Sequence, residues 1–425
     1  MKNLTPNSWA VELHCPQCGA PVTLGEADRI LSCAFCRVRL LIGYKGFPKY
    51  LLAPFQDRTI DQDFFYIPYW RIRGMAFDTL RVQGKDRIID ATFLALEIPG
   101  LPLYLGLQAR AFKLHFLSAA PGGRFLEPWI SFEEIWSRFL EDPSPVASEL
   151  ELETTPSPPP AFIGETVSQV FAPFYFKAGM IFDGLGDRPL GKFKVSDYEK
   201  LPLLDTEALP KVRFLPVICP YCGADLQGEK DTWVLPCRNC DRVWDFDGEK
   251  LSQIDFNLID SGNNGPLYFL PFWRINPADS LEGLFPLPPF LASAAHNLKK
   301  DPAGGKGEKR YYWLPAFKLS PSAFLTASRA MTLRQPLEYR GRQDLPQGQY
   351  YPVNLPWEQA VEGLPVLSAH LTKSPISSSE FLSNHLKSLD HLLIFVPFHL
   401  QGSELVQETL SLGISRAALH FGRFI

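Results

Sequence analysis

The sequence predicts an α+β fold with an internal duplication. Its two halves should be related by a pseudo-two-fold, each a small cysteine-rich module followed by a mostly antiparallel sheet with one packed helix. Three observations predict this. All eight cysteines fall into two sets of identical spacing, and four further landmarks recur in the same order in both halves. The third is composition: 32 Phe and 39 Pro among 425 residues suit short aromatic strands joined by sharp turns better than an all-helical chain.

Length and charge set the bounds. A chain of 425 residues exceeds a single compact core and fits two to four domains of ordinary size. A 46% hydrophobic fraction with 21% charged residues is that of a folded protein. The formal net charge of −4 gives no overall attraction to polyphosphate, so nucleic acid is disfavoured as a partner. The N-terminus lacks the apolar region and cleavage site of a secretory signal, which points to a cytoplasmic protein. The most apolar stretch, 91–112, is interrupted by Glu97, Pro99, Pro102 and Arg110, so no membrane span is expected.

The cysteines are Cys15, Cys18, Cys33 and Cys36, then Cys219, Cys222, Cys237 and Cys240. Each set reads C-x2-C-x14-C-x2-C, close to the spacing of zinc sites. Two residues between thiolates let one tight turn aim both sulfurs at a point, and the longer interval returns a second such turn. Gly19 and Gly223 follow the second cysteine of each first turn, where a positive φ is cheap for glycine. Arg37 and Asp241 hold the matching places in the second turns; Arg tolerates that conformation poorly, so the second turn of the first set should be less regular. Four thiolates on a divalent cation leave a formal charge of −2, which Arg37, Arg39, Arg238 and Arg242 are placed to offset. With four protein sulfurs the coordination shell is closed, so each metal should be structural and His14 should not be a fifth ligand.

The knuckles "CPQCG" and "CPYCG" resemble those of zinc ribbons of the rubredoxin-like and transcription-factor type. The resemblance covers only the two short cysteine modules. It implies a ribbon fold and two structural Zn2+ ions, and no activity. Iron in a rubredoxin-like electron carrier is the alternative, because iron shares the tetrahedral sulfur environment. Disulfides are disfavoured without an export signal.

Beyond the cysteines, "IPYWRIRG" is matched by "LPFWRI", "ARAFKL" by "LPAFKL", "EPWISFEEIWSRFL" by "LPWEQAVEGL" and "APFYF" by "VPFHL". Such self-similarity marks repeated units. The expected organisation is a zinc ribbon at 10–45, an α+β domain at 46–212, a second ribbon at 213–250 and a second α+β domain at 251–425. Trp129, Phe132, Trp136 and Phe139 recur at helical spacing, with Ser131 and Glu134 able to form a capping box. Trp357, Ala360, Val361 and Leu364 give the same stripe. The segments "DFFYIPYWRIRG" and "PLYFLPFWRI" read as strands with their prolines at sheet edges. The segment 141–160 has five acids, six prolines and no Lys or Arg, the composition of a solvated loop. An acidic docking arm is its functional alternative.

Among candidate contact residues, Trp70, Arg71, Arg73, Trp273 and Arg274 pair rings with cations, as binders of single-stranded nucleic acid do. Strand alternation offers the simpler reading, with Trp inward and Arg outward. From 215 to 250 seven acids stand against four bases, which would repel phosphates. The basic, glycine-rich segment 299–310 lacks the order of a phosphate-binding loop and reads as a hairpin loop. No spaced catalytic set is recognisable among the histidines, serines and carboxylates. The expectation is therefore a non-enzymatic adaptor for protein partners. Single-stranded nucleic-acid binding is the alternative from another class.

Overall fold

The computed structural model describes residues 9–54, 64–77, 87–98, 100–105, 112–117, 123–141, 161–192, 200–259, 267–276, 311–336, 344–345, 348–372 and 389–423. Segment 142–160 and the basic segment 299–310 lie outside the described residues. Sheets dominate and helices are few, which agrees with an α+β class.

Two large sheets follow one pairing plan. In the first, Phe65–Phe77 runs antiparallel to Ala161–Lys177 on one flank. Its other flank takes Arg87–Leu94 antiparallel and the short Arg124–Phe125 parallel. Ala161–Lys177 adds Lys49–Leu52 parallel and Met180–Asp183 antiparallel, and Arg188–Lys192 closes that edge. In the second sheet, Leu267–Ile275 runs antiparallel to His391–Gln401. Its other flank takes Tyr312–Pro315 antiparallel and Gln349–Tyr350 parallel. His391–Gln401 then adds Phe256–Leu258 parallel and Glu404–Gln407 antiparallel, with Leu412–Ser415 at the edge. The first sheet continues further, through Lys113–Phe116 to the hairpin Ala10–His14 and Pro21–Gly25.

The prolines of these strands are central, not at edges as the sequence suggested. Pro68 lies opposite Phe171, and Pro173 opposite Tyr66. In the second sheet Pro271 lies opposite Phe395, and Pro397 opposite Phe269. A proline interrupts a ladder because it has no N–H to donate. Each of these four stands where two short strands on the same flank meet end to end, so no ladder donor is required of it. The carbonyls there are still taken: Pro68 O accepts from Ala95 N–H at 3.0 Å and Pro271 O from Ala316 N–H at 3.0 Å. Pro173 O accepts from Gly184 N–H at 2.9 Å, and Pro397 O from Gln407 Nε2 at 2.9 Å.

Helices cover the sheets where the periodicity placed them. Phe132–Glu141 begins with Ser131 Oγ accepting from Glu134 N–H at 3.1 Å, one half of the expected capping box. The side chains of Trp136 and Phe139 lie outside the described residues, and Trp129 is exposed, so the expected stripe does not extend to it. In the second half Trp357, Ala360, Val361 and Leu364 are all buried, carried by Trp357–Ala360, a 3₁₀ turn Val361–Gly363 and Leu364–Thr372. Two helices escaped the sequence reading, Pro321–Arg334 and Arg416–Gly422.

The parts interlock. Met75 and Phe77, at the end of the first sheet's central strand, are buried with Ile163 in the core of the second half. There the Phe77 ring lies 5.9 Å from that of Phe324. Arg213–Pro216, at the start of the second cysteine module, pairs with Arg39–Gly43 of the first. No described helix is long and apolar enough to cross a membrane.

Candidate metal centres

Each cysteine set gathers at the ends of short strands. Cys15 follows Ala10–His14, and Cys33 follows Ile30–Ser32, which pairs with Arg39–Gly43. In the second set, Cys237 ends Val234–Cys237, which pairs with Arg242–Phe246 and through it with Leu251–Ile254. A single bridge, Ile218 to Asp225, flanks the other turn.

The turns share one hydrogen-bond plan. Cys15 N–H donates to Ala20 O at 2.8 Å and Gly19 N–H to Cys15 O at 2.8 Å. Cys33 N–H donates to Val38 O at 3.0 Å, and Arg37 N–H to Cys33 O at 3.0 Å. Cys219 N–H and Gly223 N–H repeat the pattern at 2.8 and 2.9 Å. The residue after the second cysteine has positive φ in all four turns: Gly19 at 73°, Arg37 at 62°, Gly223 at 75° and Asp241 at 52°. The expected irregularity at Arg37 is therefore absent. Its arginine accepts the left-handed conformation, a cost that closure of the turn must offset. Asp241 gains a compensating contact, since its Oδ1 accepts from Leu345 N–H at 3.0 Å.

The sulfur geometry suits a tetrahedral ion. All four Sγ atoms of each set lie within 4.8 Å of one another. Cys15 to Cys36 measures 3.8 Å and Cys18 to Cys33 3.7 Å. In the second set Cys219 to Cys240 measures 3.7 Å and Cys222 to Cys237 3.5 Å. Sulfurs about 2.3 Å from a common zinc, at the corners of a tetrahedron, stand about 3.8 Å apart. A disulfide needs about 2.05 Å, so these are free thiols grouped as a ligand set. Four soft sulfurs suit zinc or iron and leave no coordination position for water or substrate. His14 is exposed and stands outside the cluster.

Backbone N–H groups answer the charge on sulfur. The N–H of Cys36, with that of Phe35 behind it, outweighs burial and brings the Cys33 thiol down to about 6. Ala224 N–H and the Asn239 side chain bring Cys222 down to about 6. Burial and the three other thiols push Cys240 up to about 12, the crowding that a bound divalent cation would relieve. Three of the arginines expected to help are engaged elsewhere. Arg39 donates to Leu226 O at 3.0 Å and Gly228 O at 2.6 Å. Arg238 reaches Gln227 and Gly348, and Arg242 lies 3.6 Å over the Tyr221 ring.

The two modules pack together. Ile30 and Leu41 of the first are buried with Val217, Leu226, Leu235, Trp244 and Phe246 of the second, along with Cys219 and Cys237. Exposure is unequal: Cys18 and Cys36 are exposed, whereas Cys222 and Cys240 are half-buried. Phe35 and Tyr221, each inside a knuckle, are 70% and 64% exposed.

The Trp-Arg strands are interior. Trp70 is buried against Phe47 and Phe132, and its Nε1–H donates to Ile130 O at 2.9 Å. Trp273 is buried against Trp357 and His391, with Nε1–H donating to Leu355 O at 3.0 Å. Neither ring offers a face to a nucleobase. Arg71 does not point outward as alternation suggested. It is 2% exposed, 4.0 Å over the Trp9 ring, with bonds of 2.9 and 3.0 Å to Glu26 and a further ion pair to Asp90. The strand is covered on both faces, so alternation separates two interiors instead of core and solvent. Arg73 stands 3.9 Å from Asp90, and half-buried Arg274 lies 4.2 Å over Tyr311.

Sequence reasoning missed Arg29, Glu26, Asp231 and Arg423, all brought into buried or partly buried polar contacts by segments distant in the chain. No local pattern marks them. Nothing beyond the spacing of the cysteines distinguishes this chain by comparison, because no family model, no curated protein and no solved structure matches it.

Proposed function

We propose that this chain is a non-enzymatic tandem zinc-ribbon scaffold, with two closed structural Zn2+ sites and a surface that engages protein partners. The observation that carries the reading is the pair of sulfur tetrads, with measured edges of 3.5 to 3.8 Å, close to that of a zinc–thiolate tetrahedron. Closed shells supply folding energy and no chemistry.

In this reading the chain is a duplication, with units at 10–45, 46–212, 213–250 and 251–425 and its two halves related by a pseudo-two-fold. Support comes from the pairing plan common to both sheets and from the four prolines at matching breaks. The indoles of Trp70 and Trp273 add to it, since each donates to a carbonyl just before a helix. Support for a protein partner comes from Phe35 and Tyr221, large rings held outward on knuckles that a metal would stiffen.

Elemental analysis of the purified chain tests the metal: two zinc per chain, colourless, is expected. Visible absorbance from iron–thiolate charge transfer, or fewer than one metal per tetrad, overturns it. Affinity capture comparing the wild type with a Phe35→Ser, Tyr221→Ser variant tests the surface, and an unchanged set of captured proteins removes that part of the proposal.

A further inference from the structure

The two tetrads share their sulfur geometry and differ in how they are held. In the second, contacts from other elements brace the knuckles. Arg238 Nη2 donates to Gly348 O at 2.6 Å, and its guanidinium lies 4.7 Å over the Tyr350 ring. Asp241 Oδ1 accepts from Leu345 N–H at 3.0 Å. Arg242 lies 3.6 Å over the Tyr221 ring, which ties one knuckle to the strand leaving the other.

The first tetrad has no such bracing among the described residues. Its knuckles, 16–19 and 34–37, are exposed throughout, and apart from the sulfurs none of their side chains makes a hydrogen bond, ion pair or ring contact there. Arg37 holds its φ of 62° without a side-chain contact to offset the cost.

The sulfurs of the first tetrad divide into accessible and hidden ones. Cys18 and Cys36 are exposed, while Cys15 and Cys33 are buried. Each exposed sulfur has a buried one beside it: Cys18 stands 3.7 Å from Cys33, and Cys36 3.8 Å from Cys15. In the second tetrad no cysteine is exposed; Cys222 and Cys240 are half-buried. Oxidation of a thiolate follows its access to the oxidant, and a second thiolate next to it captures the product as a disulfide.

We propose that the first tetrad is a peroxide-sensitive switch, in which oxidation of Cys18 and Cys36 by a hydroperoxide releases its metal while the second tetrad stays closed. The switch rests on the tetrads being metal sites, as read above, and adds regulation to one of them. With hydrogen peroxide, the exposed thiolate attacks one oxygen, the O–O bond breaks, and uptake of one proton leaves a sulfenic acid and water. The buried thiolate then attacks the oxidised sulfur, the S–O bond breaks, and a second proton turns the departing hydroxide into water. Each pair gives two electrons to one peroxide. Two disulfides, Cys18 with Cys33 and Cys15 with Cys36, therefore consume two peroxides and four protons and yield four waters. Disulfide sulfurs stand about 2.05 Å apart, against about 3.8 Å on a zinc–thiolate tetrahedron, and carry no thiolate charge, so the ion leaves. Phe35 sits between Cys33 and Cys36, and its outward ring would lose its stiff support in the same step.

The test uses the full-length chain loaded with zinc, exposed to hydrogen peroxide in the presence of a zinc-binding dye, with the dye alone as control. Elemental analysis fixes the starting content. Release should have two phases, with one ion per chain leaving roughly tenfold or more faster than the other. Alkylation of the remaining thiols between the phases, followed by peptide mass mapping, should find Cys15, Cys18, Cys33 and Cys36 in disulfides and the other four cysteines alkylated. Dithiothreitol with added zinc should restore both ions. Fewer than two zinc per chain at the start fails the metal reading and takes the switch with it. With two at the start, three results overturn the switch alone: both ions leaving at one rate, early disulfides in the second set, or the same release with dye and no peroxide. Every arm uses the wild-type chain, so no variant has to fold for the test to be decisive.

Discussion

Gly43, after the first cysteine set, meets Gly248, after the second, so closely that a Cβ on Gly43 would stand 2.5 Å from the Gly248 carbonyl oxygen. No side chain fits, so the two segments meet backbone to backbone, and Gly248 itself has φ of +93°. Gly43→Ala should lower stability by about 1–3 kcal/mol, the usual cost of overpacking. A denaturant melt would show the shift. Gly191→Ala, with open space around it and no positive φ, should be close to neutral.

Ile30 and Leu41 share a buried cluster with Cys219 and Cys237, so the first cysteine module packs against the second tetrad. Cys237→Ser should lose one metal per chain and also expose the first ribbon to protease near residue 40. Structural zinc contributes on the order of 10 kcal/mol to such lobes, so partial unfolding is the expected result. Elemental analysis with mapped proteolysis reads both effects; cleavage confined to the second ribbon would show that the lobes are independent.

Arg71 and Glu26 form a buried pair whose members cannot be separated cheaply. Arg71→Met should cost about 3–5 kcal/mol by leaving Glu26 buried and uncompensated. The double variant Arg71→Met, Glu26→Leu should recover much of that loss. A double-mutant cycle by urea unfolding measures the coupling, and additive losses would refute it.

Burial, then Glu358 and Asp247, push the Asp245 carboxyl up to about 7. A folded pKa above the unfolded one means the protonated form is favoured by folding, so this contribution is fully present below about 4 and lost as pH rises to about 7. Asp245→Asn should therefore be more stable than the wild type at pH 8, with the gap narrowing toward pH 5. Unfolding midpoints at both values check the sign.

Local chemistry was legible in the chain itself. Cysteine intervals define both tetrads, because two thiolates two residues apart can only converge through a tight turn. Recurring landmarks placed Trp70 and Trp273 on strands, and the periodicity from Phe132 and from Trp357 marked helices. The helix Pro321–Arg334 left no comparable trace. Its interior side includes Ser328 and Thr332, whose hydroxyls satisfy Phe324 O and Trp313 N–H, so a polar pattern hides a buried face.

What only tertiary structure decided is which surfaces meet. Arg71 turned inward because Glu26, forty-five positions earlier, waits beside it. The prolines became tolerable at centre strand because two short neighbours end there. Arg29 reached Trp233, some two hundred positions later, only through tertiary packing. Periodicity and spacing report a residue's own neighbourhood in the chain, whereas these outcomes depend on complementarity between segments that become neighbours only on folding.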